Sequence, residues 1–263
     1  MQSEDKSQRI AVTGATGRVG SHLVDILSQR GHDVVPIARS KGVDVVSGEG
    51  LDDALVGVET IIDTATGPSP DQEEATAFFT ASARNLQRAG AAAGAGRIVV
   101  VSIIGIDKFQ GGYNAAKVAQ EQALLEGPLP VRIVRAAQFH EFVEPLVGWT
   151  IQDGVAYVPE MRTQLVAARA VAETLADAAE EPDIQNGMIT EIAGPHEERL
   201  AAAAATLFAS RGDAVEIREG RGGTLAEPGD PDAAAYADGA ALPNPGAKLA
   251  GPGFAERLKA AQV

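Results

Sequence analysis

Two groups of residues in this chain have types and spacings that chemistry uses. Gly14, Gly17 and Gly20 recur every third residue within Ile10–Gly20, IAVTGATGRVG. A glycine turn that leaves a strand and opens a helix aims backbone N–H groups at an anion, and a pyrophosphate is the anion it suits. Gly14 permits the sharp exit from the strand, Gly17 lets the backbone approach the phosphates, and Gly20 lets the helix pack closely. Ala15, Thr16, Arg18 and Val19 complete the turn. The second group is Tyr113 and Lys117, in the run Tyr113-Asn114-Ala115-Ala116-Lys117. Positions i and i+4 share one helix face. An ammonium beside a phenol lowers the phenol pKa and helps it move a proton near neutrality. The plain alternatives are a turn with no ligand at the glycines, and a packing tyrosine beside a lysine that only touches a cofactor.

These residues need a scaffold, and the hydrophobic pattern supplies one. Ile10–Val12 reads as a buried strand, and Val19, Leu23, Ile26 and Leu27 mark one side of a helix that stops near Gly31. Further strands are predicted at Asp33–Ala38, Val43–Val46, Glu59–Thr64, Arg97–Ser102 and Val131–Arg135. Between them lie a helical turn at Leu51–Val56, a long helix capped by Ser69 or Asp71 and running through Ala89, and a helix at Tyr113–Leu125. Such alternation predicts an α/β fold, a doubly wound parallel Rossmann sheet. Beyond residue 136 the pattern loosens. Helices are expected at Gln138–Asp153, Ala167–Glu180 and Glu197–Ser210, and extended segments at Val155–Val158, Met188–Ile192 and near Ala214–Arg218. Gly220–Pro252 reads as a long surface excursion with a short helix at Pro231–Asp238, and Phe254–Ala261 as a closing helix. The expected organisation is a dinucleotide-binding core over 8–136 and a small C-terminal α/β substrate lobe over 137–263, interleaved as a single compact unit.

Composition narrows the function. The chain has 263 residues, 45% of them apolar, which suffices for a real core, although only 4% are aromatic. A net charge of −14 argues against nucleic acid as a partner. An anionic cofactor therefore needs its own local cations. Cysteine is absent, so there is no thiol chemistry. Met1–Gln8 has no apolar signal core and no run approaches a membrane span, so a cytoplasmic protein is expected. His22, His32, His140 and His196 are scattered without ligand spacing, and no metal is expected. The partners expected are a small-molecule substrate and at most a second copy of the chain, as monomer or homodimer.

The string TGATGRVG resembles the cofactor fingerprint of the atypical and extended short-chain dehydrogenase/reductase superfamily. Later segments bring it closer to the NmrA-like, NAD(P)H-binding branch. That branch holds quinone reductases, isoflavone-reductase-like enzymes and redox-sensing regulators that do no chemistry. The resemblance spans residue 8 to about 195 and is thin beyond Pro195. Tyr113 and Lys117 match the Tyr-x-x-x-Lys of the superfamily. The resemblance implies that Tyr113 protonates a carbonyl oxygen as hydride arrives, Lys117 also holds the nicotinamide ribose, and Ser102 hydrogen-bonds the carbonyl. The interval from Ser102 to Tyr113 is 11 residues, and the asparagine of the usual tetrad has no clear counterpart. Arg135–Phe142 resembles the family segment that closes over the nicotinamide, with Ala136 and Phe139 near the cofactor. Phe139, His140 and Phe142 are then candidates to wall a substrate pocket, with Trp149 and Met161 further out; ordinary packing is the alternative.

Cofactor choice follows from charge. An NAD site places an acid at the C-terminal end of the second strand. The only nearby acid, Asp33, starts that strand, whereas Arg39, Ser40 and Lys41 end it and Arg18 lies in the glycine turn. A guanidinium suits a 2′-phosphate, so NADP(H) is preferred, with NAD(H) possible and a solvated Arg39 as the plain alternative. Thr64, Ala65 and Thr66 are small enough to pass close to the nicotinamide ribose. The predicted activity is an NADP(H)-dependent oxidoreductase acting by hydride transfer on a small carbonyl, enone or quinone-like substrate. The alternatives are a non-catalytic NADP(H)-sensing regulator and a nicotinamide-dependent epimerase or isomerase.

Overall fold

The structure, a computed structural model, describes residues 7–182, 185–213, 215–220 and 232–260. The chain begins β1 (Arg9–Thr13), α1 (Arg18–Gln29), β2 (Asp33–Ile37), α2 (Leu51–Ala54), β3 (Thr60–Asp63), α3 (Gln72–Ala93), β4 (Arg97–Ile103), α4 (Gly112–Leu125) and β5 (Val131–Ala136). It continues with α5 (Val143–Thr150), β6 (Ile151–Gln152), β7 (Val155–Val158), β8 (Arg162–Thr163), α6 (Ala168–Glu180) and β9 (Met188–Ala193). Last come β10 (Glu198–Arg199), α7 (Leu200–Arg211), β11 (Glu216–Glu219), α8 (Ala233–Ala237), β12 (Lys248–Leu249) and α9 (Phe254–Ala260). The central sheet has seven strands in the order β12-β9-β5-β4-β3-β1-β2. With its flanking helices it is a doubly wound α/β fold.

The chain divides into two units. The first holds the described residues of Met1–Ser102, Ala115–Val134 and Val171–Ile189; the second holds those of Ile103–Asn114, Arg135–Ala170 and Thr190–Val263.

In the first unit β1 lies between β2 and β3, all parallel, and Thr13 is in register with both Ile37 and Asp63. The three strands therefore release the chain side by side. The strand order reverses here: the chain steps from β1 to β2 on one side and returns to β3 on the other. Ligands of doubly wound sheets sit beyond the strand ends at such a switch point. Strand alternation explains the core. Ala11, Ile61, Ile98 and Val100 join Leu51, Leu55, Ala83 and Leu86 in one cluster. Ile10, Val12, Ile62 and Val99 point the other way and are as deeply buried, so both faces of the sheet are covered. Asp71 caps α3, its carboxylate accepting the N–H groups of Glu73 and Glu74 at 2.9 and 3.0 Å.

The second unit has its own core. Val143, Leu146 and Val147 of α5 pack with Ala156 and Val158 of β7, Leu200, Ala204 and Leu207 of α7, and Phe254 of α9. Beside them stand the parallel pair β7 and β11 and the antiparallel pair β6 and β7.

Several elements differ from expectation. Val43–Val46 forms no strand. The Asp44 carboxylate accepts the N–H groups of Val46 and Ser47 at 2.7 and 3.3 Å, turning the chain where an apolar run suggested extension. Gln138–Asp153 is not one helix: a 3-10 turn at His140–Phe142 precedes α5, and the chain is extended again at Ile151–Gln152. The helix expected from Glu197 starts at Leu200, because Glu198 and Arg199 pair with Thr163 and Arg162 of β8. Of the surface excursion expected at Gly220–Pro252, residues 221–231 lie outside the described residues, and in the remainder Asp232 and Ala241 are buried, 5% and 3% exposed. Ala214, Pro231 and Ala261, named in the expected elements, lie outside the described residues.

Candidate functional site

The glycine turn is built by backbone alone. Gly14 takes φ +64°, and a Cβ there would stand 2.7 Å from the Thr64 carbonyl oxygen. At Gly20 a Cβ would overlap the carbonyl oxygen of Gly14. Only glycine fits these two positions, one for conformation and contact, the other for contact. The turn closes with the Gly17 N–H donating to Gly14 O at 2.8 Å, and Ala15 is tied to the β2 end through Ile37 O at 3.3 Å. Gly17 caps α1 with no side-chain bond, and the first turn of α1 holds no acid. The first-turn N–H groups thus need an acceptor from outside the helix. Val19 and Ala15 are buried beneath the turn, while Thr16 and Arg18 are exposed upon it.

The neighbouring strand ends carry the other predicted residues of this unit. Arg39 and Ser40 lie exposed in a 3-10 turn just after β2. Asp33, at the opposite end of β2, is engaged by the Arg9 guanidinium at 2.5 Å. Thr64 donates its hydroxyl to Thr13 O at 2.6 Å, and the Ala65 N–H donates to Asp63 at 3.1 Å. Thr66 follows, exposed. Ser102, near the end of β4, is 3% exposed, and its Oγ has no hydrogen-bond partner among the described residues. A buried hydroxyl without a partner has capacity for a ligand or water.

Lys117 is 5% exposed and turned inward. Its Nζ donates to Val101 O at 2.9 Å and to Gln120 Oε1, and sits 4.6 Å from the Phe79 ring centre. Gln120 Nε2 donates to Asp63 Oδ2 at 2.8 Å, and the Thr13 hydroxyl donates to Asp63 Oδ1 at 2.5 Å. Burial pushes the Lys117 ammonium down to about 8, against the opposing pull of Asp63 and Glu121. Asp63 and Gln120 did not figure among the expected site residues. The available signal was an acid in the otherwise apolar strand Thr60–Asp63.

The second unit carries Tyr113, half-buried in the first turn of α4. The stretch bearing it is clasped by the segment around α8. Asp232 accepts the N–H groups of Gln110 and Gly111 at 2.8 and 3.0 Å. Asn114 Nδ2 donates to the Tyr236 hydroxyl at 2.6 Å, and the Phe109 and Tyr236 rings stack at 4.3 Å. Asp232 and Tyr236 were also missing from the expected site, because they lie far from Tyr113 in sequence.

The expected substrate wall is mixed. Ala136 is buried and Phe139 half-buried, with the Phe139 backbone bridging to Val166. Phe142 meets Trp149 edge-on at 5.7 Å, and Trp149 is 57% exposed. Met161 lies inside the second core. His140 is buried, with Nε2 against Leu165 O at 3.2 Å, its ring edge-on to Phe254, and Nδ1 without a partner among the described residues. Burial, more than any neighbour, pushes its pKa below the ordinary histidine value. Among the described residues no group of three or more acids and histidines could hold a metal ion, and no helix is long and apolar enough to cross a membrane.

Comparison with known proteins fits this geometry. A family model described as NAD(P)H-binding matches residues 14–182. A 4-hydroxy-tetrahydrodipicolinate reductase of Natronomonas pharaonis is 29% identical over an alignment of 182 residues that covers 65% of this chain and 65% of that protein. Among solved structures, MoeE5 in complex with UDP-glucuronic acid and NAD superposes with a TM-score of 0.71 at 19% identity, over 95% of this chain and 96% of that one. An NADPH-dependent quinone oxidoreductase of Escherichia coli superposes with a TM-score of 0.66 at 18% identity, over 97% and 100%. At these identities the structural likenesses establish the fold.

Proposed function

We propose that this chain, which belongs to the NAD(P)H-binding family, is an NADP(H)-dependent oxidoreductase acting on a small carbonyl, enone or quinone-like substrate. The observation that carries the reading is the glycine turn at the β1/β3 switch point, with its first-turn amides open to an anion and an unpartnered Ser102 hydroxyl buried near the end of β4. The turn from Gly14 to Gly20 binds the pyrophosphate through the first-turn amides of α1. Arg39 and Ser40, at the β2 end where an acid would favour NAD, take the 2′-phosphate. Thr64, Ala65, Thr66, Ala136 and Phe139 line the path of the dinucleotide. A bound nicotinamide supplies or accepts the hydride. Ser102 hydrogen-bonds a substrate oxygen, and Tyr113 gives or takes a proton. Lys117, one turn further along α4, supplies positive charge. Phe139, His140, Phe142 and Trp149 are the proposed substrate wall, with Met161 packed in the second core.

A second reading is a protein that binds NADP(H) without turnover. It is favoured by the inward engagement of Lys117 with Val101 and Gln120. One experiment separates the two. NADPH absorbance is followed with a panel of quinones, enones and aldehydes, and repeated with Tyr113→Phe. Oxidation that falls at least about a hundredfold in the variant supports the enzyme. Binding without oxidation across the panel supports the sensor. No affinity for either nicotinamide dinucleotide would overturn both.

A further inference from the structure

We infer that Gln120 and Asp63 are positioning residues, a buried relay that sets the place and charge of Lys117 and ties it to the strand end from which the glycine turn departs. This rests on the proposed binding of NADP(H) at that turn.

Every link is geometric. Gln120 is 1% exposed, and its amide faces two ways at once, with Oε1 accepting from Lys117 and Nε2 donating to Asp63. An amide can accept from an ammonium with one atom and donate to a carboxylate with another. Asp63, also 1% exposed, takes that bond on Oδ2 and uses Oδ1 for the Thr13 hydroxyl and the Ala65 N–H. Thr13 is the residue immediately before Gly14, and its carbonyl is held by Thr64. One chain of contacts thus runs from Lys117 on α4 to the β3 end and to the first residue of the turn.

The relay also governs charge. A buried ammonium far from any carboxylate loses its proton readily, because the cation is poorly solvated. The charged groups acting on Lys117 are Asp63 on β3, reached through Gln120, and Glu121 on its own helix; both favour the cation. With the Lys117 pKa near 8, a modest loss of this support changes its charge within the range where proteins work. A merely structural polar cluster would hold the fold without altering how nucleotide affinity depends on pH.

The test is the NADPH dissociation constant of the full chain, followed through the emission of the single Trp149 or of the nucleotide, from neutrality toward the ordinary lysine value of about 10.4. The expected wild-type affinity falls as Lys117 deprotonates, and Lys117→Met abolishes that fall. Asp63→Asn, which keeps the shape and removes the charge, moves the midpoint to lower pH by at least about threefold in proton concentration. Gln120→Leu removes the amide that links Lys117 to Asp63 and also moves it to lower pH. A lowered midpoint supports the relay, and either variant suffices if the other fails to fold. A midpoint unmoved in the folded variants, or a wild-type affinity flat with pH, would overturn it. Absence of NADPH binding at any pH would overturn the proposed function instead.

Discussion

Gly20 presses its Cα side against the carbonyl of Gly14, leaving no room for even a methyl group between α1 and the turn that precedes it. The contact is backbone on backbone, so no side chain can rotate away. Gly20→Ala must therefore shift either the turn or the helix. It is expected to cost about 1–3 kcal/mol of stability, as overpacking does. NADPH affinity should fall at least about tenfold as the amides lose alignment. Urea unfolding and nucleotide titration of the same sample check both.

Arg39 is exposed in the turn after β2. A charged hydrogen bond contributes about 1.5–3 kcal/mol. Arg39→Ala is expected to weaken NADPH binding by about ten- to a hundredfold and to leave NADH binding within about twofold. Parallel titrations with both nucleotides give the ratio. Equal losses would remove Arg39 from cofactor discrimination.

Asp232 is buried and holds two consecutive backbone amides just ahead of Tyr113. Asp232→Ala leaves the N–H groups of Gln110 and Gly111 without that acceptor and is expected to cost about 1–3 kcal/mol. Tyr113 loses its fixed approach, so turnover should drop while NADPH affinity holds. Steady-state rates beside nucleotide titration distinguish this from general unfolding.

His140 predicts an acid limb of stability. Burial holds its folded pKa below the ordinary value of about 6.5, against the weaker pull of Glu141 and the Leu165 carbonyl and alongside the repulsion of Arg257. The unfolded chain therefore takes up the proton first as pH falls. The contribution of neutral His140 is complete above about pH 6.5 and is lost progressively below it. Urea midpoints at successive pH values should fall more gently in His140→Leu than in wild type.

Asp71→Ala tests a local element that touches none of this chemistry. Loss of the α3 cap should cost about 1 kcal/mol and leave nucleotide affinity unchanged.

The amino-acid sequence alone determined the features whose physics is local. Ile10–Val12, the three glycines and the apolar stripe of α1 are neighbours along the chain, and each constrains the next within a few residues. A cap at Ser69 or Asp71 and strands over Arg97–Ser102 and Val131–Arg135 were legible for the same reason, and Asp71 proved to be the cap. Val43–Val46 misled because Asp44, inside the run, accepts the N–H groups two and three residues on and turns the chain its valines would extend. Tertiary structure alone decided what surrounds Tyr113 and Lys117. Gln120 meets Asp63 across 57 residues, and Asp232 meets Gly111 across 121. Buried polar groups take whatever partner the packed strands and helices bring within reach. Periodicity records which side of an element is buried, but the partner on that side exists only once the chain has folded.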